Sequence, residues 1–445
     1  MNKKEKLRIL AFESPMRAFI RIMSNGGLLL MLMALVAVIW ANSPWQDWYH
    51  WVFEKSHLSL SINDWQLDMH FLHWINDGLM AVFFFVVGLE IKREVIAGEL
   101  NNLKLAALPM LAALGGMVVP VIIYSTFGFE GDAARGWGIP MATDIAFSIG
   151  ILSMLGNRVP LSLKVFLTAL AIVDDLGAVL VIAIFYTSQI NWLFLFIALA
   201  LVACLIVANY FNIRQLWIYI TLGIVIWALF LYSGVHATIA GVVVALTIPV
   251  KPSIDSDYFI EAIKTVLCKF NRISKDANNN VVLTHEQIDA IDHIQSLAHE
   301  VQSPLQYAEH AMHRFINYVV LPLFALANAG IMLVSYGHSE HQTAQFTMLS
   351  VGLAVSLIFG KVIGISLFSW LAVRLGLAKK PKGASWMSVI GVAFLGGIGF
   401  TMSLFIASLA FPSPTMLAEA KLGIFAGSLI AGIVGYLILR KTLKT

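Results

Sequence analysis

Four ionisable side chains stand where a hydrocarbon environment gives them least support. Asp144 lies in GIPMATDIAFSIG, Asp174 and Asp175 are adjacent in FLTALAIVDDLGAVLVIAIF, and Lys361 lies in SLIFGKVIGISLF. A charged group near the middle of a membrane span costs about 2.5–3.5 kcal/mol on insertion scales, so a sequence that keeps several of them uses them. Three acids against one base leave an excess of negative charge, which attracts a cation or holds protons. Adjacent residues on a helix point about 100° apart, so no single partner satisfies both Asp174 and Asp175. One can face Lys361 while the other faces a water-filled cavity. Burial and a neighbouring like charge disfavour ionisation of these carboxylates and Lys361 favours it, so the pair titrates as one coupled unit. A carboxylate that trades a proton for a small cation is an ion-exchange site. Sodium or lithium suits it better than calcium, because a monovalent ion needs fewer charges and leaves on every cycle. A network that only fixes helix packing is the competing reading, but that would need one acid for one base.

The elements that must hold these groups are membrane-spanning helices. Of the 445 residues 59% are hydrophobic and only 12% charged, far from the roughly 25% charged average of soluble domains. A soluble enzyme is excluded. Spans need about 20 apolar residues each, and the apolar runs fall at 22–41, 71–91, 104–126, 137–156, 161–186, 192–210, 215–232, 234–250, 312–335, 346–374, 385–411 and 417–440. The expected architecture is therefore an all-α polytopic membrane protein of about twelve helices. With a cytoplasmic amino end, all Lys and Arg residues lie on the cytoplasmic side except Lys55, Arg135 and Lys421 outside and Lys361 within a span. That asymmetry places both termini inside. Residues 1–21 form a basic cytoplasmic segment, and the first run has no small-residue cleavage site after it, so it reads as an uncleaved helix.

Two stretches interrupt the membrane region. After the first span, within an external segment at 42–70, HLSLSINDWQLD alternates apolar and polar residues around Asn63 and Asp64 as a small β-hairpin does. The second stretch is a cytoplasmic hydrophilic loop at 251–303. It divides spans 1–8 (22–250) from spans 9–12 and a short tail (304–445), and it predicts two short amphipathic helices around an Asn278–Asn280 tip. The net charge of +3 carries no basic stripe and points to no nucleic acid, and Cys204 and Cys268 offer neither metal spacing nor a disulfide.

Helix interruptions sharpen the picture. Pro140, followed by Ala142, Thr143 and Asp144, breaks the fourth span, and Gly396, Gly397 and Gly399 break the eleventh. Two broken spans at corresponding positions of 104–186 and 346–440 point to an inverted repeat with a site at the midplane. Facing half-helices end with opposed partial charges, so Asp144 can offset positive helix starts and Lys361 negative helix ends.

The strings WINDGLMAVFFFVVGLEIKRE, GWGIPMATDIAFSIG, LTALAIVDDLGAV, SGVHATIAGV, LPLFALANAG, FGKVIGISLF and GGIGFTMSLFIASLAF run in order across nearly all of the chain. Together they resemble the NhaA-type sodium/proton antiporters of bacteria, a family that is itself a type example of the inverted repeat with broken helices. The resemblance implies a twelve-span inner-membrane antiporter that expels Na+ or Li+ for more than one H+, with no cofactor. It implies that Asp174 and Asp175 bind the ion and the protons, Asp174 being the partner of Lys361, and that Thr143 and Asp144 stand where the broken helices cross. It implies a pH-response cluster of Glu90, Arg93 and Glu94 joined by Glu309 and His310, with His236 at a further pH-linked position. Partners are the lipid bilayer and the transported ions, and the external hairpin reads either as a surface that pairs two copies or as an ordered loop lying on the membrane surface. The chain departs from the best-known relatives at Gln306, where they carry lysine, and at Val362, where proline is common, and its 253–302 segment is longer than typical. A solute symporter would need a roomy polar cleft that the spans lack near Asp175. An intramembrane aspartyl protease would need two aspartates facing from different helices, which adjacent Asp174 and Asp175 do not supply, although Asp144 could.

Overall fold

The computed structural model describes residues 15–443 apart from 63–64, 188–189, 277–281 and 334–343. Helix α1 (Pro15–Ala41) carries Leu28, Leu32, Leu35 and Ile39 exposed along one side. This is the three-and-four spacing of a single helix face, and here that face is the outer one. Inside, by contrast, Asp144, Asp174, Asp175 and Lys361 are all buried. Apolar surface outward and ionisable groups inward is the arrangement of a bundle solvated by lipid.

The helices that follow are α2 (Met80–Ala97), α3 (Leu103–Thr126), α4 (Ile145–Met154), α5 (Leu161–Phe185), α6 (Trp192–Tyr210), α7 (Leu216–Ser233) and α8 (Thr238–Thr247). Next come α9 (Ser256–Asp276), α10 (His285–Glu300), α11 (Pro304–Phe315) and α12 (Leu321–Asn328). The last group is α13 (Met348–Val355), α14 (Lys361–Arg374), α15 (Trp386–Gly396), α16 (Phe400–Ala410) and α17 (Pro414–Thr442). Among the described residues six unbroken segments are long and apolar enough to cross a membrane, and counting each bent pair as one span raises that to nine.

Several expected spans are drawn differently. The run at 234–250 is helical only over the ten residues of α8, about 15 Å at 1.5 Å per residue, because Gly234 in the left-handed region ends α7 and the chain is extended from Ile248. The run at 312–335 starts earlier, at Pro304 with Ser303 as its cap, and passes through a π turn at Ile316–Val320 before ending at Asn328. A second π turn, Ser356–Gly360, leads directly into Lys361, so Val362 sits in regular helix just after a bulge. Such bulges shift the helix phase by one residue.

The hairpin expectation holds: β1 (His57–Ile62) pairs antiparallel with β2 (Trp65–His70), from His57 opposite His70 to Ile62 opposite Trp65, while Asn63 and Asp64 lie outside the described residues. The hydrophilic segment forms α9 and α10, longer than the short helices expected, and α10 starts on a reciprocal Thr284–Gln287 capping box. The Asn278–Asn280 tip lies outside the described residues.

Packing of α14 against α3 positions Lys361. Gly364 and Gly115 bring the two backbones together, and a methyl on Gly364 would fall against the Gly115 carbonyl. Gly364→Ala is therefore expected to destabilise the protein by about 1–3 kcal/mol, the cost of an overpacked contact, measured as a lower unfolding temperature in detergent. An unchanged temperature would mean that the helices are free to move apart.

Candidate ion-binding site

The fourth apolar segment begins as a 3-10 helix, Gly131–Met141, and resumes as α4 after three extended residues, the two parts being bent by 44°. Glycines at 131, 136 and 138 and Pro140 are poor α-helix formers, which accounts for the tighter coil. The eleventh segment breaks between α15 and α16 with a bend of 41°. The two breaks lie against one another. The Asp144 amide donates to the Ile398 carbonyl at 2.7 Å, the Thr143 hydroxyl to the Gly396 carbonyl at 2.8 Å, and the Ser148 hydroxyl to the Leu395 carbonyl at 2.7 Å.

The two breaks together leave two helix starts and two helix ends with unpaired backbone groups. The Asp144 carboxylate serves both starts. One oxygen accepts from the Phe147 amide at 2.9 Å and caps α4, while the other accepts the Thr401 amide at 3.1 Å and hydroxyl at 2.5 Å in the first turn of α16. Lys361 serves the ends. Its ammonium donates to the carbonyl of Met141, last residue of the 3-10 helix, and at 2.9 Å to the Thr143 hydroxyl, which itself donates to Gly396, last residue of α15. The acid thus faces positive dipole ends and the base negative ones, as the sequence led us to expect. Thr401 was not foreseen. The only signal for it is a hydroxyl residue two positions after the last glycine of the break.

The third partner of Lys361 is the Asp174 Oδ2 atom at 2.5 Å, both side chains being fully buried. Asp175 follows on α5 and points elsewhere. It too is buried, and among the described residues neither of its carboxylate oxygens has a hydrogen-bond partner; Asp174 Oδ1 has none either. The expectation that one aspartate faces Lys361 is met. The cavity of about 30 Å³ between the break and α11 is walled by Glu90, Asp144, His313, Asn317 and Thr401, and Asp175 is not on its wall. That volume holds one or two waters, so in this conformation the unpartnered acid is shut away from solvent.

The far end of that cavity is a second cluster of charges. Arg93 binds the Glu309 Oε1 atom at 2.5 Å and the Glu94 Oε1 atom at 2.7 Å, and the His313 ring lies 3.2 Å from Glu90 and 3.3 Å from Glu309. One ligand atom each from Glu90, Glu309 and His313 lie within 4.8 Å of one another. The expected members Glu90, Arg93, Glu94 and Glu309 are thus together, but His310 is not: it is exposed. His313 takes the place expected of it, because it lies one helical turn after Glu309 whereas His310 is rotated by about 100°. Gln306 is also exposed and outside the cluster. His236 is remote. Its Nε2 lies 2.6 Å from the Tyr186 carbonyl, just before α8 begins, while Lys92 beside Arg93 donates to the Leu246 and Ile248 carbonyls at the other end of that helix.

A lipid-facing bundle enclosing an acid-rich, partly unpaired constellation at two helix breaks defines a polytopic membrane protein of the ion-transporter class. The chain belongs to the Na+/H+ antiporter 1 family, whose model matches residues 17–439. It is 46% identical over 440 residues to the Na(+)/H(+) antiporter NhaA of Sulfurimonas denitrificans, covering 98% of both chains. It is 45% identical over 445 residues to the Na(+)/H(+) antiporter NhaA of Phocaeicola vulgatus, again with 98% of both covered. With the Na(+)/H(+) antiporter NhaA 1 of Saccharophagus degradans it shares 45% over 433 residues, which is 96% of this chain and 91% of the other.

Proposed function

We propose that this chain is an electrogenic antiporter of the bacterial inner membrane that expels Na+ or Li+ in exchange for more than one entering H+. Asp175 and Asp174 are the shared seats of ion and protons. Lys361, Thr143 and Asp144 hold the crossing of the broken helices in a twelve-span inverted repeat with both termini in the cytoplasm. The observation that carries the reading is Asp175, a buried carboxylate with no hydrogen-bond partner among the described residues. A group in that position is stable when it holds a proton or a cation and costly when it holds neither. The cluster of Glu90, Arg93, Glu94, Glu309 and His313 at the mouth of the cavity is the candidate for pH response, and the hairpin is the surface that pairs two copies.

The energetics allow it. One net charge moved across 100 mV supplies about 2.3 kcal/mol, roughly a 50-fold ion gradient at about 1.4 kcal/mol per decade. The direct test is sodium-induced proton release from purified protein as a function of pH. Addition of Na+ to a weakly buffered sample is expected to acidify it, with apparent sodium affinity falling as the pH is lowered. Sodium binding of constant affinity without proton release sinks the exchange mechanism.

A further inference from the structure

The transport reading makes no use of a group of imidazoles at the base of the β-hairpin. His57 opens β1 and His70 closes β2, and the register sets them directly opposite one another. Their rings are 4.0 Å apart between centroids, and the His73 ring lies 5.8 Å from that of His70. Side chains two apart on a strand share a face, so Asp68 stands on the same face as His70, and its Oδ1 atom is 3.5 Å from His57 Nδ1. His70 Nδ1 is buried and has no hydrogen-bond partner among the described residues, whereas His57, Asp68 and His73 are exposed. Both ends of the group are tied down: the Phe71 amide donates to the Ser56 carbonyl at 2.9 Å, which fixes the chain between His70 and His73 against the start of β1.

We propose that His57, Asp68, His70 and His73 form a binding site for a divalent transition-metal ion, with zinc as the best-matched occupant. Three imidazoles and one carboxylate are borderline-soft nitrogen and hard oxygen donors, the set that zinc takes in four-coordinate sites. Ligand atoms about 2.0–2.1 Å from a tetrahedral ion are themselves about 3.3 Å apart, and the His57–Asp68 separation of 3.5 Å is already close to that. In this conformation the four ligand atoms are not gathered around one point, and the exposed side chains of His57, Asp68 and His73 would turn toward His70 Nδ1 to hold a metal. Alkali cations, which need a cage of oxygen atoms, do not fit this set, so the site is independent of the transported ion. A bound metal would clip β1 to β2 and both to the first turn of the following helix.

The experiment is Co2+ and Zn2+ binding to the untagged, full-length protein in detergent after chelator treatment, read by elemental analysis and by the visible absorption of Co2+. About one metal per chain is expected, with the intense absorption of tetrahedral Co2+. The double variant His57→Ala/His70→Ala is expected to lose the absorption and the stoichiometric metal. Asp68→Ala, which leaves both strands' backbones untouched, is expected to weaken binding at least about 10-fold. His313→Ala is expected to bind normally, and Na+/H+ exchange in chelator is expected to be the same for the hairpin variants as for the unaltered protein. Absence of stoichiometric binding overturns the proposal. So does binding that survives the double variant but is lost on His313→Ala, which would put the metal on Glu90, Glu309 and His313 instead.

Discussion

Asp175→Asn is expected to reduce sodium-dependent collapse of a pH gradient in inside-out vesicles to background, with the protein still folded and inserted. The two side chains have the same shape, but the amide can neither take up a proton in this pH range nor contribute a charge to a bound cation. The expected effect on stability is small and of the opposite sign to that of most buried substitutions. The Asp175 oxygens receive no hydrogen bonds among the described residues, so no partner is stranded, and a buried group that charges is replaced by one that does not. The unfolding temperature should be unchanged or slightly raised. Asp174→Asn makes the informative contrast, since it takes the anion away from Lys361 and should lose stability as well as transport. Near-normal exchange by Asp175→Asn would remove the carboxylate from the transport cycle. A collapse of folding together with activity would show it to be a structural group, paired in a way that its lack of hydrogen bonds contradicts.

The quartet of charges was legible in the sequence for one physical reason: the hydrocarbon interior makes each of them costly, so their mere presence in apolar runs is informative. The breaks were legible through Pro140 and the glycines at 396, 397 and 399, because backbone chemistry interrupts a helix whatever surrounds it. Rotational phase was harder. Residue types alone left open which of Asp174 and Asp175 meets Lys361, and family resemblance, not periodicity, singled out Asp174. The π turn at Ser356–Gly360 sets the phase of Lys361, and nothing in an apolar run announces it. The substitution of His313 for His310 has a similar origin. A ninth span beginning at residue 312 leaves Glu309 outside it, whereas the helix starting at Pro304 puts Glu309 and His313 on one face. The shortness of α8 was hidden for another reason, since hydropathy sees the apolar residues on either side of it but not the left-handed Gly234 that ends the preceding helix.

Lys361→Ala is expected to be the most destabilising single change in the bundle, by about 3–5 kcal/mol, the range for removing one member of a buried ion pair. The ammonium is hydrogen-bonded to Asp174, to Thr143 and to the Met141 carbonyl, so its loss strands an anion and a helix-end carbonyl at once, while the Thr143 hydroxyl keeps its bond to Gly396. Alanine also leaves the volume of three methylenes and the ammonium empty between α14 and α5. These contributions separate in a double-mutant cycle. Asp174→Leu combined with Lys361→Met replaces the pair by apolar groups of similar size, which is commonly neutral relative to the intact pair, so the double variant should recover most of the stability lost by Lys361→Ala. Recovery should remain incomplete, because the Met141 carbonyl still lacks a donor, a deficit of about 1–3 kcal/mol for an unsatisfied buried group. Thermal unfolding in detergent of the unaltered protein, Asp174→Leu, Lys361→Met and the double variant reads the coupling directly. If Lys361→Ala unfolds like the unaltered protein, or if the losses of Asp174→Leu and Lys361→Met simply add in the double variant, the 2.5 Å contact contributes nothing to the fold. Lys361 would then be held in place by the helix ends alone, and Asp174 would stand as unpartnered as its neighbour.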